Sequence, residues 1–258
     1  LMIRLRICME KARFSEKHEN LKKESKALEY GAIVAICALA ECRDQETGKH
    51  ILRVSRLATL MADNLPDIFE EEASPWPDFS SLLEQAAPLH DIGKVAIRDS
   101  ILLNKKKLGR NQYIKMQKHT TLGAEFLSLS QGYLQSPVIE MGIGIAQSHH
   151  ERFDGNGYPQ KLKEKEIPLP ARVVAIADVY DSIRSKRCYR PCALPHEQVA
   201  KIIEMGRGTS FDPDLVDVFF QVEEGVLGLY NNEEANYCIY DKPLNDCYKC
   251  AYYVNHAR

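Results

Sequence analysis

From Gly31 to about Phe220 the apolar residues recur at three- and four-residue intervals, and alternating, strand-like runs are scarce. The spacing predicts helices near 30–41, 45–64, 80–94, 111–129, 137–150, 170–185, 195–206 and 213–222, joined by short loops. Pro66, Pro75 and Pro77 mark a loop around Trp76, and Pro168 and Pro170 precede another helix start. The expected fold class is all-α: a helical bundle with an N-terminal linker helix and a short irregular C-terminal extension.

The two ends read differently from the middle. Residues 1–29 form one charged helix in which Ile7, Phe14, Leu21 and Leu28 recur every seven positions. Glu10, Lys17 and Glu24 fill the second heptad position, which disfavours a strong coiled coil. The segment is read as a linker or signalling helix, with a solvated helix packed by one edge as the plainer alternative. It suggests a homodimer through this helix and an upstream sensor or receiver domain, consistent with a chain that opens on Leu1. Residues 30–222 form the central domain, and 223–258 an extension of unassigned role. That tail holds six of the twelve tyrosines and three of the eight cysteines, without clear period. Cys238, Cys247, Cys250 and His256 could close a small zinc site, although ordinary thiols are the preferred reading.

Composition excludes several classes. With 34 basic and 36 acidic side chains the net charge is −2, which argues against a DNA- or RNA-polymer binder with a broad basic face. The longest apolar stretch, Gly31 to Ala40, is too short to span a bilayer. Scattered cysteines and no visible signal peptide point to reduced thiols and a cytoplasmic location.

Two strings carry chemistry. His149-His150-Glu151-Arg152-Phe153-Asp154-Gly155-Asn156-Gly157-Tyr158-Pro159 joins paired imidazoles to a glycine-rich turn, and Leu89-His90-Asp91-Ile92-Gly93-Lys94 supplies a His-Asp pair followed by a lysine. Glu46 and His50 sit four apart in a helical pattern and so share a face. His119 lies in the 111–129 helix, and Asp178 interrupts an apolar run where a bare carboxylate would be costly. If helical, His149 and His150 diverge by about 100° and would serve different ions or opposite sides of one cluster. Asp91 has two oxygens and is a natural bridge. Imidazoles and carboxylates without thiolate suit iron or manganese, with zinc, nickel or magnesium as alternatives.

Together these motifs resemble the HD-GYP family, a branch of the HD metal-dependent phosphohydrolases, over roughly residues 40–222. The resemblance implies an HD-type helical bundle and two or three divalent ions held by Glu46, His50, His90, Asp91, His119, His149, His150 and Asp178. Within it Glu46 is associated with a third metal. Catalysis would fall to Asp91 and Lys94, and substrate contacts to Tyr158, Asp181, Arg187 and Arg190. The implied reaction is hydrolysis of a cyclic dinucleotide: cyclic di-GMP to linear pGpG and onward to GMP, or alternatively cyclic GMP-AMP. A non-catalytic receptor is the alternative from another class. The chain departs from the family pattern at Cys188, at Arg98 and at Gln160-Lys161-Leu162. Each departure bears on substrate preference; none removes a metal ligand.

Overall fold

The structure is a computed structural model that describes residues 2–41, 49–104, 106–131, 135–185 and 193–230. Its helices are α1 (Met2–Glu41), α2 (Lys49–Ala62), α3 (Glu70–Ala73), α4 (Phe79–Ala86), α5 (Asp99–Leu102), α6 (Arg110–Gln131), α7 (Pro137–Ser148), α8 (Leu169–Arg184), α9 (His196–Met205), α10 (Pro213–Gln221) and α11 (Glu223–Tyr230). A 3₁₀ stretch, Ala87–Ala96, follows α4 directly. The described residues form no strand; an isolated bridge pairs Arg207 with Phe211.

The hub is α8. Of its sixteen residues only Asp178, Val179 and Ser182 are not buried, the pattern of a helix enclosed on nearly every side. Val173, Ile176, Ala177 and Tyr180 pack among Val54, Leu57 and Met61 of α2, Leu83 of α4, Met141 and Ile145 of α7, Ile203 of α9 and Phe219 of α10. Each large side chain fully buried here contributes ~1.5–3 kcal/mol of transfer free energy. Arg172 anchors the first turn of α8: it donates to the Ile167 carbonyl at 2.9 Å, to Asp212 Oδ2 at 2.5 Å and to Glu72.

Two boundaries differ from the sequence expectation. The break expected at residue 29 falls inside one continuous helix, whose Phe14, Leu21 and Leu28 are exposed while Cys37, Ala40 and Glu41 near its end are buried. The central domain also continues past 222, because Val226 and Tyr230 of α11 are buried in the main core. Tyr180, His196 and Glu223 tie α8, α9 and α11 together through 2.8 Å bonds on the two ring nitrogens of His196. Among the tail residues, 231–258 lie outside the described residues, including Cys238, Cys247, Cys250 and His256.

The expected 80–94 helix is in fact two elements, α4 and the 3₁₀ stretch. Ten residues is long for a 3₁₀ run. Its three-residue turn lines up positions three apart, so Asp91 and Lys94 project together. Close approach to α6 requires glycine at position 93: a Cβ there would lie 1.9 Å from the His119 carbonyl and 2.5 Å from the Gly123 nitrogen. That contact sets Asp91 beside His119.

Candidate metal centre

Four elements and one turn bring the predicted residues to one place: His50 from α2, His90 and Asp91 from the 3₁₀ stretch, His119 from α6, Asp178 from α8, and His149 and His150 where α7 ends. His149 caps α7 and His150 lies in the turn beyond, so the pair does not follow helical divergence; the two rings are 4.1 Å apart and tilted by 42°. Asp91, His119, His149 and His150 each present one ligand atom, all within 4.8 Å of one another. Of the two alternatives, different ions or opposite sides of one cluster, the shared group favours the second.

The hydrogen bonds fix the tautomers. His90 Nδ1 lies 3.0 Å from the Ala87 carbonyl, His119 Nδ1 2.7 Å from the Met116 carbonyl, and His149 Nδ1 3.0 Å from the Ile145 carbonyl. A carbonyl only accepts, so each Nδ1 carries a proton, and in the neutral ring each Nε2 keeps its lone pair. Those three Nε2 atoms and Asp91 Oδ1 are buried and have no hydrogen-bond partner among the described residues. His90 Nε2 is 3.2 Å from Asp91 Oδ2, and His119 Nε2 is 3.2 Å from Asp91 Oδ1. Lone pairs facing a carboxylate at such distances repel unless a cation lies among them. The residues therefore fit divalent metal ions, and the backbone bonds supply the outer support that metal-binding histidines need.

Asp91 spans the cluster. Its Oδ1 faces His119 and, at 3.8 Å, His149, while Oδ2 faces His90 and accepts from Lys94 Nζ at 2.9 Å. Burial alone would raise its pKa, but Lys94 and His90 hold the carboxyl ionised well below the usual range. Burial keeps the His149 imidazole neutral down to about 3 and lowers His119 and His150 as well. Neutral imidazoles are the ligand form.

Asp178 and Asp181, three apart on α8, mesh with His50 and Arg53, three apart on α2. His50 sits between the carboxylates: Nε2 is 3.4 Å from Asp178 Oδ1, and Nδ1 donates to Asp181 Oδ2 at 2.6 Å. Asp181 is fully buried and also accepts from Arg53 Nε at 2.5 Å and Arg53 Nη2 at 3.1 Å, and from Tyr230 Oη at 2.6 Å. The sequence reading gives Asp181 a substrate contact; the structure places it fully buried behind His50 instead of on the cavity wall. Its oxygens are spent behind His50, where they orient the imidazole.

The glycine-rich turn forms one wall of a cavity of 410 Å³ that Asp91, Lys94, His149, His150 and Asp178 also line. Arg152 clamps Asp154 and Ser210, and Glu151 Oε1 accepts from the Gln160 amide at 2.6 Å. Gly157 is required by close approach, since a Cβ would lie 2.3 Å from the Arg152 nitrogen. Tyr158 leans its ring over His150 at 4.8 Å, and Tyr113 meets it edge-on at 6.4 Å. Glu46, Arg187 and Arg190 lie outside the described residues. Sequence reasoning missed Arg53 and Tyr230 behind His50, as well as Tyr113 in the cavity. The three-residue step from His50 to Arg53, matching that from Asp178 to Asp181, was the available signal for the first. Tyr230 had none, being remote in sequence.

The family profile described as HD domain matches residues 53–215. A cyclic di-GMP phosphodiesterase of Vibrio cholerae serotype O1 is 41% identical over 212 residues, covering 82% of this chain and 43% of that protein. A 3'3'-cGAMP-specific phosphodiesterase 2 from the same organism is 37% identical over 202 residues, covering 78% and 35%. The crystal structure of a cyclic GMP-AMP-specific phosphodiesterase of V. cholerae shares the fold, with a TM-score of 0.53 at 16% identity over 84% of this chain and 54% of that one. With the motifs and helical bundle above, the chain belongs to the HD domain family, in its HD-GYP branch. It spans less than half the length of the two relatives in sequence.

Proposed function

We propose that this chain is a metal-dependent phosphodiesterase that hydrolyses cyclic di-GMP to linear pGpG. The observation that carries the reading is the set of buried Nε2 lone pairs and carboxylate oxygens converging beside an open cavity, with every Nδ1 of His90, His119 and His149 committed to a carbonyl. Iron or manganese, as two or three ions, suits this donor set best, with zinc, nickel or magnesium as alternatives. Bound there, divalent ions supply Lewis-acid polarisation of a phosphate oxygen and acidification of a water.

The protein groups do the rest. His50, His90, His119, His149, His150, Asp178 and a bridging Asp91 would hold the ions, with Glu46 as a further ligand. Lys94, half-buried at the cavity edge, neutralises a phosphate oxygen or delivers the proton to the leaving 3′-oxygen. Tyr158 and Tyr113 offer ring faces to a base, and Arg187 and Arg190 planar donor forks to phosphates or guanine edges. Further hydrolysis to GMP belongs to the same chemistry. The 37% identical cyclic GMP-AMP enzyme supports a second reading in which that dinucleotide is preferred.

The setting proposed is cytoplasmic, with an upstream sensor or receiver domain and a homodimer through α1, whose Phe14, Leu21 and Leu28 are exposed. No described helix is long and apolar enough to cross a membrane. Asp91→Ala tests the mechanism: it should abolish turnover and strip metal while far-UV circular dichroism stays helical. A variant retaining wild-type turnover would disprove the bridging role.

A further inference from the structure

Glu41, the last residue of α1, is 3% exposed and lies against the metal cluster from a side that the motifs do not reach. One carboxylate oxygen of Glu41, one ring nitrogen of His50 and one of His90 all lie within 4.8 Å of one another. Ligands about 2.1 Å from a single ion are separated by roughly 3–4 Å, so a small contraction would let these three share one. His90 Nδ1 is committed to the Ala87 carbonyl, and its Nε2 is buried with no hydrogen-bond partner among the described residues. His50 Nδ1 is held by Asp181, which leaves Nε2 as its ligating atom. The group shares no residue with the set formed by Asp91, His119, His149 and His150. Asp178 Oδ1 lies 3.4 Å from His50 Nε2 and 4.0 Å from His90 Nε2, so with Glu41 the position offers two imidazoles and two carboxylates, a donor set that suits ferrous iron.

We propose that Glu41 is a metal ligand that completes, with His50 and His90, a cation position separate from the one built by Asp91, His119, His149 and His150. The anionic ligand then rides on α1, so occupancy of this position depends on how the end of that helix is docked. The inference rests on the metal dependence proposed above and is independent of the substrate.

The test is metal counting on the full chain, loaded anaerobically with ferrous iron, desalted and measured by mass spectrometry, with affinity read by chelator competition. Glu41→Gln should lose one equivalent or weaken the weakest binding step by about 10–100-fold. His50→Ala should lose the same equivalent, and the double variant no more than His50→Ala alone. Wild-type stoichiometry and affinity in Glu41→Gln would overturn the proposal. So would a double variant lacking two equivalents, or a loss confined to Glu46→Gln. Far-UV circular dichroism and retained metal at the other position check the fold. If Glu41→Gln does not fold, Glu41→Asp keeps the charge but withdraws the oxygens by about one bond, and wild-type affinity there overturns the assignment as well. No dinucleotide enters this assay. A chain that binds its full metal complement and cleaves no cyclic dinucleotide would refute the proposed function and leave Glu41 in place.

Discussion

Asp181→Asn separates an orienting role for this residue from a substrate contact. The wild-type carboxylate accepts from His50 Nδ1, twice from Arg53 and once from Tyr230, at 2.5–3.1 Å and with no exposed surface. Asparagine keeps one accepting oxygen and puts an amide where a second donor must be met, while removing the charge that balances buried Arg53. Leaving one partner of a buried ion pair uncompensated costs about 3–5 kcal/mol. In a chain of this size that lowers the melting temperature by about 10 °C. The slackened His50 ring should weaken the metal it helps hold by about 10–100-fold. Differential scanning calorimetry and chelator competition read the two effects, and kinetics at saturating metal read the third. The expected result is a less stable, metal-poor protein whose KM for cyclic di-GMP returns to wild type once it is fully loaded. A raised KM with unchanged metal affinity and melting temperature would refute the assignment and restore the substrate contact.

Gly93→Ala should cost about 3 kcal/mol, because the new methyl meets backbone of α6 and no flexible side chain can yield. Thermal denaturation and metal counting should show both stability and the Asp91–His119 position impaired; an unaltered melting temperature would contradict the close crossing. Lys94→Gln should lower kcat by about 100-fold with metal content unchanged, whereas wild-type kcat would make the lysine purely structural. For the metal-free protein, folded His149 takes a proton only near 3 while the unfolded side chain takes one near 6.5. The unfolded state thus binds more protons between those values, and stability is present above the upper one and lost as pH falls. At pH 5 that one group costs about 2 kcal/mol. His90, where burial lowers the pKa but the Asp91 charge, its hydrogen bond and the Asp178 charge together raise it further, offsets part of the loss. Urea titrations of chelator-treated protein at pH 7.5 and pH 5 should differ accordingly, and equal midpoints would be the contrary result. Arg187→Ala should raise KM more than it lowers metal content, and an unchanged KM would remove its proposed contact with substrate.

The helical class was legible because burial imposes a period on residues such as Val173, Ile176 and Tyr180, which face the core at helical intervals. Histidines and carboxylates of the centre were legible as types, since few other roles need so many in short motifs. What each one faces was not. Asp178 reads as a ligand and stands beside His50 and His90, but that Asp181, three residues on, meets Arg53 and Tyr230 depends on the register of α8 against α2. The 3₁₀ geometry of Ala87–Ala96 was hidden for a similar reason: it answers to the contact between Gly93 and α6, a distant part of the chain. Glu41 and Tyr230 lie in segments without motif, and only packing brings them to the centre.

The central claim is metal-dependent hydrolysis of a cyclic dinucleotide. The most direct measurement follows cyclic di-GMP and cyclic GMP-AMP side by side, by chromatography of products, on protein loaded to known iron or manganese content. The account predicts linear pGpG appearing at a rate proportional to metal occupancy, with cyclic di-GMP cleaved faster than cyclic GMP-AMP. Fully metallated protein that binds but cleaves neither dinucleotide would contradict it and leave a receptor in place of an enzyme.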